Sequence, residues 1–201
     1  MDEREVRPRP PAPVVAVLAG GLGRRIGGAK ARVKLAGRPL ISYPLRAASE
    51  AGLAAVVVAK QDSQLPPLQV PLVREPDGPR HPLCGVLAAL GHADGGVLAV
   101  ACDMPFLSAR LLAWIAALDE AAVAEVDGHR QPLPALYPAA AVPVLERALV
   151  RGDSLRAALQ LLHARAIGEQ ELRGFGDPHR LFFSVDDASD LLLAESWLRE
   201  R

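Results

Sequence analysis

The chain has 201 residues, half of them hydrophobic, with equal numbers of acidic and basic residues and two cysteines, Cys84 and Cys102. A zero net charge provides no overall field that attracts nucleic acid or an anionic membrane, so we expect neither as a partner. The cysteines form no CxxC pair and lie in apolar surroundings, which predicts buried free thiols in a reducing compartment. Because no apolar run approaches the roughly 20 residues of a membrane span, we expect a cytoplasmic protein.

Short apolar runs alternate along the chain with segments of helical periodicity. The apolar runs predict strands at residues 14–19, 54–59, 68–73, 96–101 and 181–185. The helical segments lie at residues 39–52, 83–95, 108–120, 140–151, 154–165 and 188–200. Residues 121–137 are typical of a hairpin that turns at Asp127-Gly128. Strands that alternate with helices imply a mostly parallel sheet of the α/β class, to which the hairpin adds an antiparallel excursion.

The domain organisation follows from composition and length. Residues 1–12 are charged and proline-rich, which predicts a disordered N-terminal tail rather than an apolar signal segment. The remaining residues, 13–201, are enough to bury one good core. We therefore expect a short tail followed by a single domain.

The most unusual segment is LAGGLGRRIGGAKARVKLAGRPL, which starts at Leu18 directly after the first predicted strand. Two known phosphate-loop patterns do not fit it. The GxxxxGK[ST] loop fails because Ala29 stands where its lysine should be, and the GxGxxG fingerprint fails because Ile26 stands at its last glycine. A different phosphate-binding loop is needed to explain the segment.

The segment combines a glycine turn with local positive charge. Gly20 and Gly21 let the backbone approach a ligand and turn N–H groups toward it. Arg24 and Arg25 offer planar forks for phosphate oxygens, whereas Lys30 supplies a point charge. The alternative is a flexible surface loop with solvated charges, but such loops rarely follow directly on a first buried strand.

Two carboxylates follow predicted strands further along the chain. Asp103 stands at the carboxyl end of the strand at 96–101, the edge where ligands bind in open parallel sheets. It could hold Mg²⁺ there, or it could cap the next helix or pair with a loop arginine, although Ser108 is the better cap. Asp186 and Asp187 follow the strand predicted at 181–185. Asp187 is best explained as the cap of the last helix, while Asp186 remains open between a structural role and a second metal ligand.

Several blocks of the sequence resemble one family. The glycine-rich segment resembles the signature LAGGxSxRMGxDKxLLxLxGxPL of the MobA-like nucleotidyltransferases, and ACDMPFLS resembles the family's CDxPFL. The blocks HPLCGVLAAL, QPLPALY, SLRAAL and FFSVDDASDL are similar to later family segments, so the resemblance covers almost the whole chain. It implies a Rossmann-like, three-layer αβα nucleotidyltransferase fold.

Within that family, the chain most resembles the molybdenum cofactor guanylyltransferases, which join GMP from GTP to molybdopterin and release pyrophosphate. The resemblance implies GTP and molybdopterin as substrates, Mg²⁺ as cofactor, and transient contacts with molybdoenzymes or other cofactor-assembly proteins. It implies catalytic roles for Arg25, Lys30 and Asp103, and a metal held by Asp103 and Asp186. The nucleotide would be bound by Leu18, Ala19, Gly20, Gly21, Arg24, Lys30, Lys60, Glu75 and Asp103.

Three departures from the family pattern leave alternatives open. Ala29 stands where the family commonly has an acid, Lys60 where an asparagine commonly follows the second strand, and His81 where a glycine is usual. Because Lys60 and His81 fall near the expected nucleotide site, a cytidylyltransferase for the same cofactor, or a transferase with another phosphate acceptor, remains an alternative. Ala29 is also compatible with a non-catalytic relative that only binds nucleotide or cofactor.

Overall fold

We describe residues 11–21 and 28–200 from a computed structural model of the chain. Within these residues the strands are, in chain order, β1 (Val14–Leu18), β2 (Lys34–Leu35), β3 (Arg38–Pro39), β4 (Ala55–Ala59), β5 (Leu72–Arg74), β6 (Val97–Ala101), β7 (Ala122–Val126), β8 (His129–Tyr137) and β9 (Arg165–Ile167). The helices are α1 (Ser42–Glu50), α2 (Pro82–Leu90), α3 (Ala109–Ala116), α4 (Val142–Arg151), α5 (Leu155–Leu161), α6 (Glu169–Leu172), α7 (Pro178–Leu181) and α8 (Ala188–Arg199).

Seven of the strands form one sheet in the order β5-β4-β1-β6-β8-β7-β9. β8 pairs antiparallel with β6 and β7, whereas the pairs β1–β4, β1–β6, β4–β5 and β7–β9 are parallel. The mostly parallel sheet and its antiparallel excursion are therefore confirmed. The hairpin turns at Asp127 and Gly128, whose φ angles of 52° and 69° suit a two-residue turn between twisted strands.

Helices cover both faces of the sheet, which confirms the three-layer αβα fold. One face packs Val15, Val17 and Val100 against helices that include α1 and α3. The other face packs alternate residues of the same strands, such as Ala16 and Ala99, against α2, α4 and α5. Strands buried on both faces have to be apolar throughout, which is why the central strands are continuous runs of Val, Ala and Leu.

One predicted strand is wrong. Residues 181–185 form no strand: Leu181 ends helix α7, and the Val185 N–H then donates to the carbonyl of Asp103, in the turn after β6. Phe183 packs edge-on against Trp197 with ring centroids 4.9 Å apart, and Val185 is fully buried in the same cluster with α8. The run is apolar because it packs under a helix, not because it belongs to the sheet.

The other predicted elements lie within a few residues of the observed ones, and five short ones, three strands and two helices, were not predicted. Strand β9 lies where a predicted helix was expected to end. It and the two strands of the β2–β3 ribbon are only two or three residues long, so they carry little periodic signal. The short helices α6 and α7 were not predicted either. The predicted caps at Ser108 and Asp187 each accept a backbone N–H of their helix, and Ser154 does the same for α5.

Both cysteines are free and buried, as predicted. Among the described residues, no helix has the length and apolarity needed to cross a membrane. The predicted tail at residues 1–12 lies mostly outside the described residues, and the division into tail and single domain stays a prediction.

Candidate active site

The site lies at the carboxyl edge of the sheet, where the strand order reverses. From β1 the chain moves outward to β4 and β5 and then returns to place β6 on the opposite side of β1. Open α/β sheets bind ligands in the crevice at such a reversal. A cavity of about 620 Å³ opens there, a volume within the range of small-molecule sites.

The glycine turn after β1 forms one wall of this cavity. Leu18, Gly20 and Gly21 line it, and the Ala19 N–H holds the turn to the sheet by donating to the Val58 carbonyl at 2.8 Å. Ala19 itself lines an adjoining cavity of about 280 Å³, which Gly20 and Gly21 share. The predicted turn thus brings backbone rather than side chains to the cavity.

Gly20 lies in close contact with a buried side chain. A Cβ added at Gly20 would lie 2.7 Å from Oε1 of Glu75, inside van der Waals contact. Glu75 follows β5, and its side chain is only 8% exposed. The glycine therefore makes room for a carboxylate that forms the neighbouring wall.

The structure describes only some of the basic residues of the loop after β1. Arg24 and Arg25, predicted to hold phosphate oxygens, lie outside the described residues. Beyond them, Lys30 opens a single 3₁₀ turn, Lys30–Arg32, and lines both cavities. The structure therefore places the lysine, but not the arginine pair, relative to the other predicted site residues.

Lys30 joins the two acids that the sequence singled out. Its Nζ donates to Oδ2 of Asp103 at 2.7 Å and also to Oδ1 of Asp186. The side chains of Lys30 and Asp103 are 17% and 12% exposed, whereas that of Asp186 is 48% exposed. Three residues far apart in sequence thus meet in one cleft, with the two carboxylates converging on a single ammonium.

Backbone contacts hold the two carboxylates in place. Asp103 follows β6, and its carbonyl accepts the Val185 N–H at 2.9 Å, which fixes the segment before α8 beside it. The Ser184 hydroxyl then donates to Oδ2 of Asp186 at 2.8 Å and orients that carboxylate. Asp187 instead caps α8, as predicted. Asp103 does not cap α3, because Ser108 does.

Electrostatics keep the site's lysine charged and its thiol protonated. Burial alone would lower the pKa of Lys30, but the hydrogen bonds to Asp103 and Asp186, together with their charges, raise that pKa above its usual value. Burial, with the Asp103 charge added to it, raises the pKa of the Cys102 thiol far above that of a free cysteine. Cys102 lines the cavity but is not a nucleophile there.

The two carboxylates that contact Lys30 are suitable ligands for Mg²⁺. Carboxylate oxygens are the ligands that Mg²⁺ prefers, and it is usually held by one or two carboxylates plus substrate phosphates. Asp103 and Asp186 already converge on one cation, the Lys30 ammonium. Among the residues that the structure describes, no group of three or more acidic, histidine or cysteine side chains is placed to hold a metal alone. The residues fit a metal that arrives with a polyphosphate.

A second buried ion pair, Lys60 and Glu75, lines the same cavity. Lys60 directly follows β4, and its Nζ lies 3.5 Å from Oε2 of Glu75. The same Nζ donates to the carbonyls of Pro76 at 2.7 Å, Gly78 at 3.2 Å and Pro79 at 3.3 Å. Lys60 and Glu75 both line the cavity, as their predicted nucleotide-binding roles require.

Several cavity residues were not among the predicted site residues: Arg80, His81, Pro82, Gly85, Ala101, Cys102 and Leu133. The sequence carried a signal for His81, which replaces a family glycine. His81 is the N-cap of α2, and its Nδ1 accepts the Leu83 N–H at 3.2 Å. Pro82 follows at the first helical position, where proline is favoured. This histidine-proline pair could have indicated a helix start at the cavity.

The profile of the MobA-like NTP transferase domain matches residues 15–168. A molybdenum cofactor guanylyltransferase of Rhodopseudomonas palustris (strain HaA2) is 33% identical over 201 residues, with 92% of each chain covered. A probable molybdenum cofactor guanylyltransferase of Opitutus terrae is 34% identical over 170 residues, covering 79% of this chain and 81% of the relative.

A solved structure supports the same relationship. Molybdopterin-guanine dinucleotide biosynthesis protein A of Archaeoglobus fulgidus superposes with a TM-score of 0.80 at 29% identity, covering 94% of this chain and all of that one. The 2-C-methyl-D-erythritol 4-phosphate cytidylyltransferase of Thermus thermophilus, at 21% identity and a TM-score of 0.67, shares the fold and covers 94% of this chain and 98% of its own. With its glycine turn, its lysine-linked acids and a profile match over most of its length, the chain belongs to the MobA-like NTP transferase family.

Proposed function

We propose that this protein transfers GMP from GTP to molybdopterin and releases pyrophosphate. The observation that carries the proposal is the convergence of Lys30, Asp103 and Asp186 in a cavity that the glycine turn also lines. Relatives that are 33% and 34% identical to this chain are named as a molybdenum cofactor guanylyltransferase and a probable one, which supports GTP and molybdopterin as the substrates. The finer expectations, a cytoplasmic location and transient contacts with molybdoenzymes or cofactor-assembly proteins, are part of this proposal.

In the proposed complex, the triphosphate lies along the glycine turn. Backbone N–H groups at Gly20 and Gly21 face the phosphates, and Arg24 and Arg25 bind the oxygens of the leaving diphosphate. Lys30 breaks its hydrogen bond to one of the two carboxylates and moves to the α-phosphate. There its positive charge stabilises the negative charge that develops on the phosphate oxygens in the transition state. Each of these groups positions or neutralises charge, which is most of what phosphoryl chemistry requires.

The acceptor supplies its own nucleophile. A phosphate oxygen of molybdopterin bonds to the α-phosphorus of GTP while the bond to the bridging oxygen breaks and pyrophosphate leaves. A phosphate monoester is already ionised near neutral pH, so no residue has to remove a proton. The protonated Cys102 and the charged Lys30 are both consistent with a reaction without a covalent enzyme intermediate.

Asp103 and Asp186 would hold Mg²⁺ in this reaction. When bound, the metal neutralises phosphate charge and fixes the triphosphate for in-line displacement. The two acids keep their oxygens directed at a cation, because Ser184 orients Asp186 and the Val185 N–H holds the segment against Asp103. The Lys30 ammonium lies between these two acids and would move to the α-phosphate when GTP binds.

Glu75 is the proposed contact to the base. A carboxylate accepts hydrogen bonds but donates none, so it matches the adjacent N1–H and N2–H₂ donors of guanine. Cytosine and adenine each present only one amino group on the corresponding edge. The carboxylate of Glu75 lies beside Gly20 and Gly85, in the wall adjoining the phosphate region. This wall favours GTP over the other nucleotides.

The proposal is tested by incubating the protein with molybdopterin and each of the four nucleoside triphosphates, with Mg²⁺ present. We expect pyrophosphate release with GTP and a product whose mass equals molybdopterin plus GMP minus water. Release with CTP instead of GTP would establish the cytidylyl alternative. Tight GTP binding without turnover would establish the non-catalytic one.

A further inference from the structure

We propose that Lys60 is a positioning residue for base selection: it fixes the Glu75 carboxylate where guanine's N1–H and N2–H₂ groups can reach it. The inference rests on the proposed GTP-dependent function and deepens it. It concerns a buried lysine that the sequence marked as a departure from the family pattern.

The hydrogen-bonding capacity of Lys60 is used up within the protein. An ammonium has three N–H donors and no acceptor. Nζ of Lys60 has four acceptors within 3.5 Å, namely three carbonyls and Oε2 of Glu75. Its side chain is only 7% exposed. A ligand would have to break one of these contacts to bind Lys60 directly, so the lysine acts on the base through its neighbours.

The three carbonyls belong to one loop, residues 76–79, which connects β5 to α2. This loop leads into the cavity-lining residues Arg80, His81 and Pro82. Lys60 therefore ties the end of β4 to the loop after β5. The Arg74 guanidinium reinforces the tie by donating to the Lys60 carbonyl at 2.8 Å.

The same ammonium determines where the Glu75 carboxylate lies. Oε2 faces Lys60, which leaves Oε1 beside Gly20 and Gly85, where added Cβ atoms would lie 2.7 and 3.3 Å from it. A carboxylate this deeply buried is strongly destabilised without a partner charge. Removing the ammonium would therefore release Glu75 from the wall. The prediction is a loss of base discrimination, not only of affinity.

The experiment compares GTP with ITP, which keeps N1–H but lacks the 2-amino group. Dissociation constants of both nucleotides are measured by calorimetry with Mg²⁺, for the wild-type protein and for Lys60→Met. Hydrogen bonds to charged groups are worth roughly ten- to hundredfold in binding, so we expect wild type to prefer GTP by about that factor. In Lys60→Met the ratio should fall toward one.

Three further variants make the test decisive. Lys34→Met is the matched control, because Lys34 is exposed in β2, and it should keep the wild-type ratio. If Lys60→Met does not fold, Lys60→Gln replaces it, since its shorter, neutral side chain keeps two donors for the loop but no charge for Glu75. The double variant Lys60→Met/Glu75→Gln should lose no more discrimination than either single change, because both act on one contact.

The outcomes separate the two proposals. A lysine variant that weakens GTP and ITP equally, and so keeps the wild-type ratio, overturns the inference and leaves Lys60 a structural residue. A wild-type protein that does not prefer GTP over ITP, or does not bind GTP, contradicts the guanine contact on which the inference rests. A fall in the ratio confined to the Lys60 and Glu75 variants supports it.

Discussion

Nζ of Lys30 lies 2.7 Å from Oδ2 of Asp103, although the two residues are 73 positions apart in the sequence. One comes from the loop after β1 and the other from the turn after β6, two strands that lie side by side at the centre of the sheet. The parallel pairing of these strands is what brings the cation and the carboxylate to the same edge. The charge arrangement of the site therefore follows from the topology of the sheet.

Replacing Lys30 by Met should lower kcat for pyrophosphate release by about 10²–10³-fold, because a preorganised charge at the transferred phosphate is lost. The measurement is steady-state release with GTP and molybdopterin. The exposed Lys34→Met variant should retain wild-type kcat. A Lys30→Met enzyme with unchanged kcat would show that the lysine serves only to pair the acids.

The Lys30 contacts should also make stability depend on pH at the alkaline end. Because the folded-state pKa of Lys30 is raised, its stabilisation is fully present below the unfolded lysine pKa of about 10.4 and is lost as pH rises through the higher folded value. The free energies of unfolding of wild type and Lys30→Met, from urea titrations, should differ by a constant amount between neutral pH and that pH and converge above it. A difference that is unchanged at the highest pH would contradict the raised pKa.

Replacing Asp103 by Asn should weaken Mn²⁺ binding in the presence of GTP by more than the roughly 10-fold that loss of an outer-shell partner costs, and abolish most pyrophosphate release, while the fold is kept. Asp186→Asn should also weaken Mn²⁺ binding. Electron paramagnetic resonance of free Mn²⁺ measures the binding. Asp187→Asn is the matched control, since asparagine caps a helix as well as aspartate does. Equal effects of all three changes would mean that the metal is held elsewhere.

Replacing Gly20 by Ala should reduce GTP affinity. The new Cβ would lie 2.7 Å from Oε1 of Glu75, so the carboxylate has to leave its place beside the cavity. Gly168→Ala, where no atom lies within 4 Å of the added Cβ, should bind GTP like wild type. GTP binding that is unaffected by Gly20→Ala would show that the position of Glu75 does not matter for the nucleotide.

The thiol of Cys102 should not react in the folded protein. Burial and the neighbouring Asp103 charge raise its pKa, so almost no thiolate is present at neutral pH. Iodoacetamide near neutral pH is therefore expected to leave Cys102 unmodified, as judged by peptide mass spectrometry, until urea unfolds the chain. Rapid native-state modification of Cys102, blocked by GTP, would contradict this environment.

Much of the site could be predicted because it depends on local signals. A glycine turn after a β-branched strand, and an acid after the next central strand, are placed by the pairing of parallel strands alone. Asp187 could be recognised as a helix cap from its position before a helical segment. These features depend on a few neighbouring residues, and the structure has each of them where the sequence indicated.

The remaining features depend on contacts between distant segments. Residues 181–185 are as apolar as a strand, but they pack against Phe106 and Trp197 instead of pairing in the sheet. The role of Lys60 depends on the path of the loop at 76–79, which no periodicity specifies. A lysine after a strand is usually exposed, so its burial against three carbonyls could only be seen in three dimensions.

The most direct test is a crystal structure with Mn²⁺ and a GTP analogue whose α and β phosphorus atoms are joined by methylene. We expect an anomalous peak about 2.1 Å from a carboxylate oxygen of Asp103, the Lys30 ammonium at an α-phosphate oxygen, and the guanine edge at Glu75. A triphosphate bound away from the glycine turn, or a metal with no contact to Asp103, would contradict the assignment of this cleft as the site of nucleotidyl transfer.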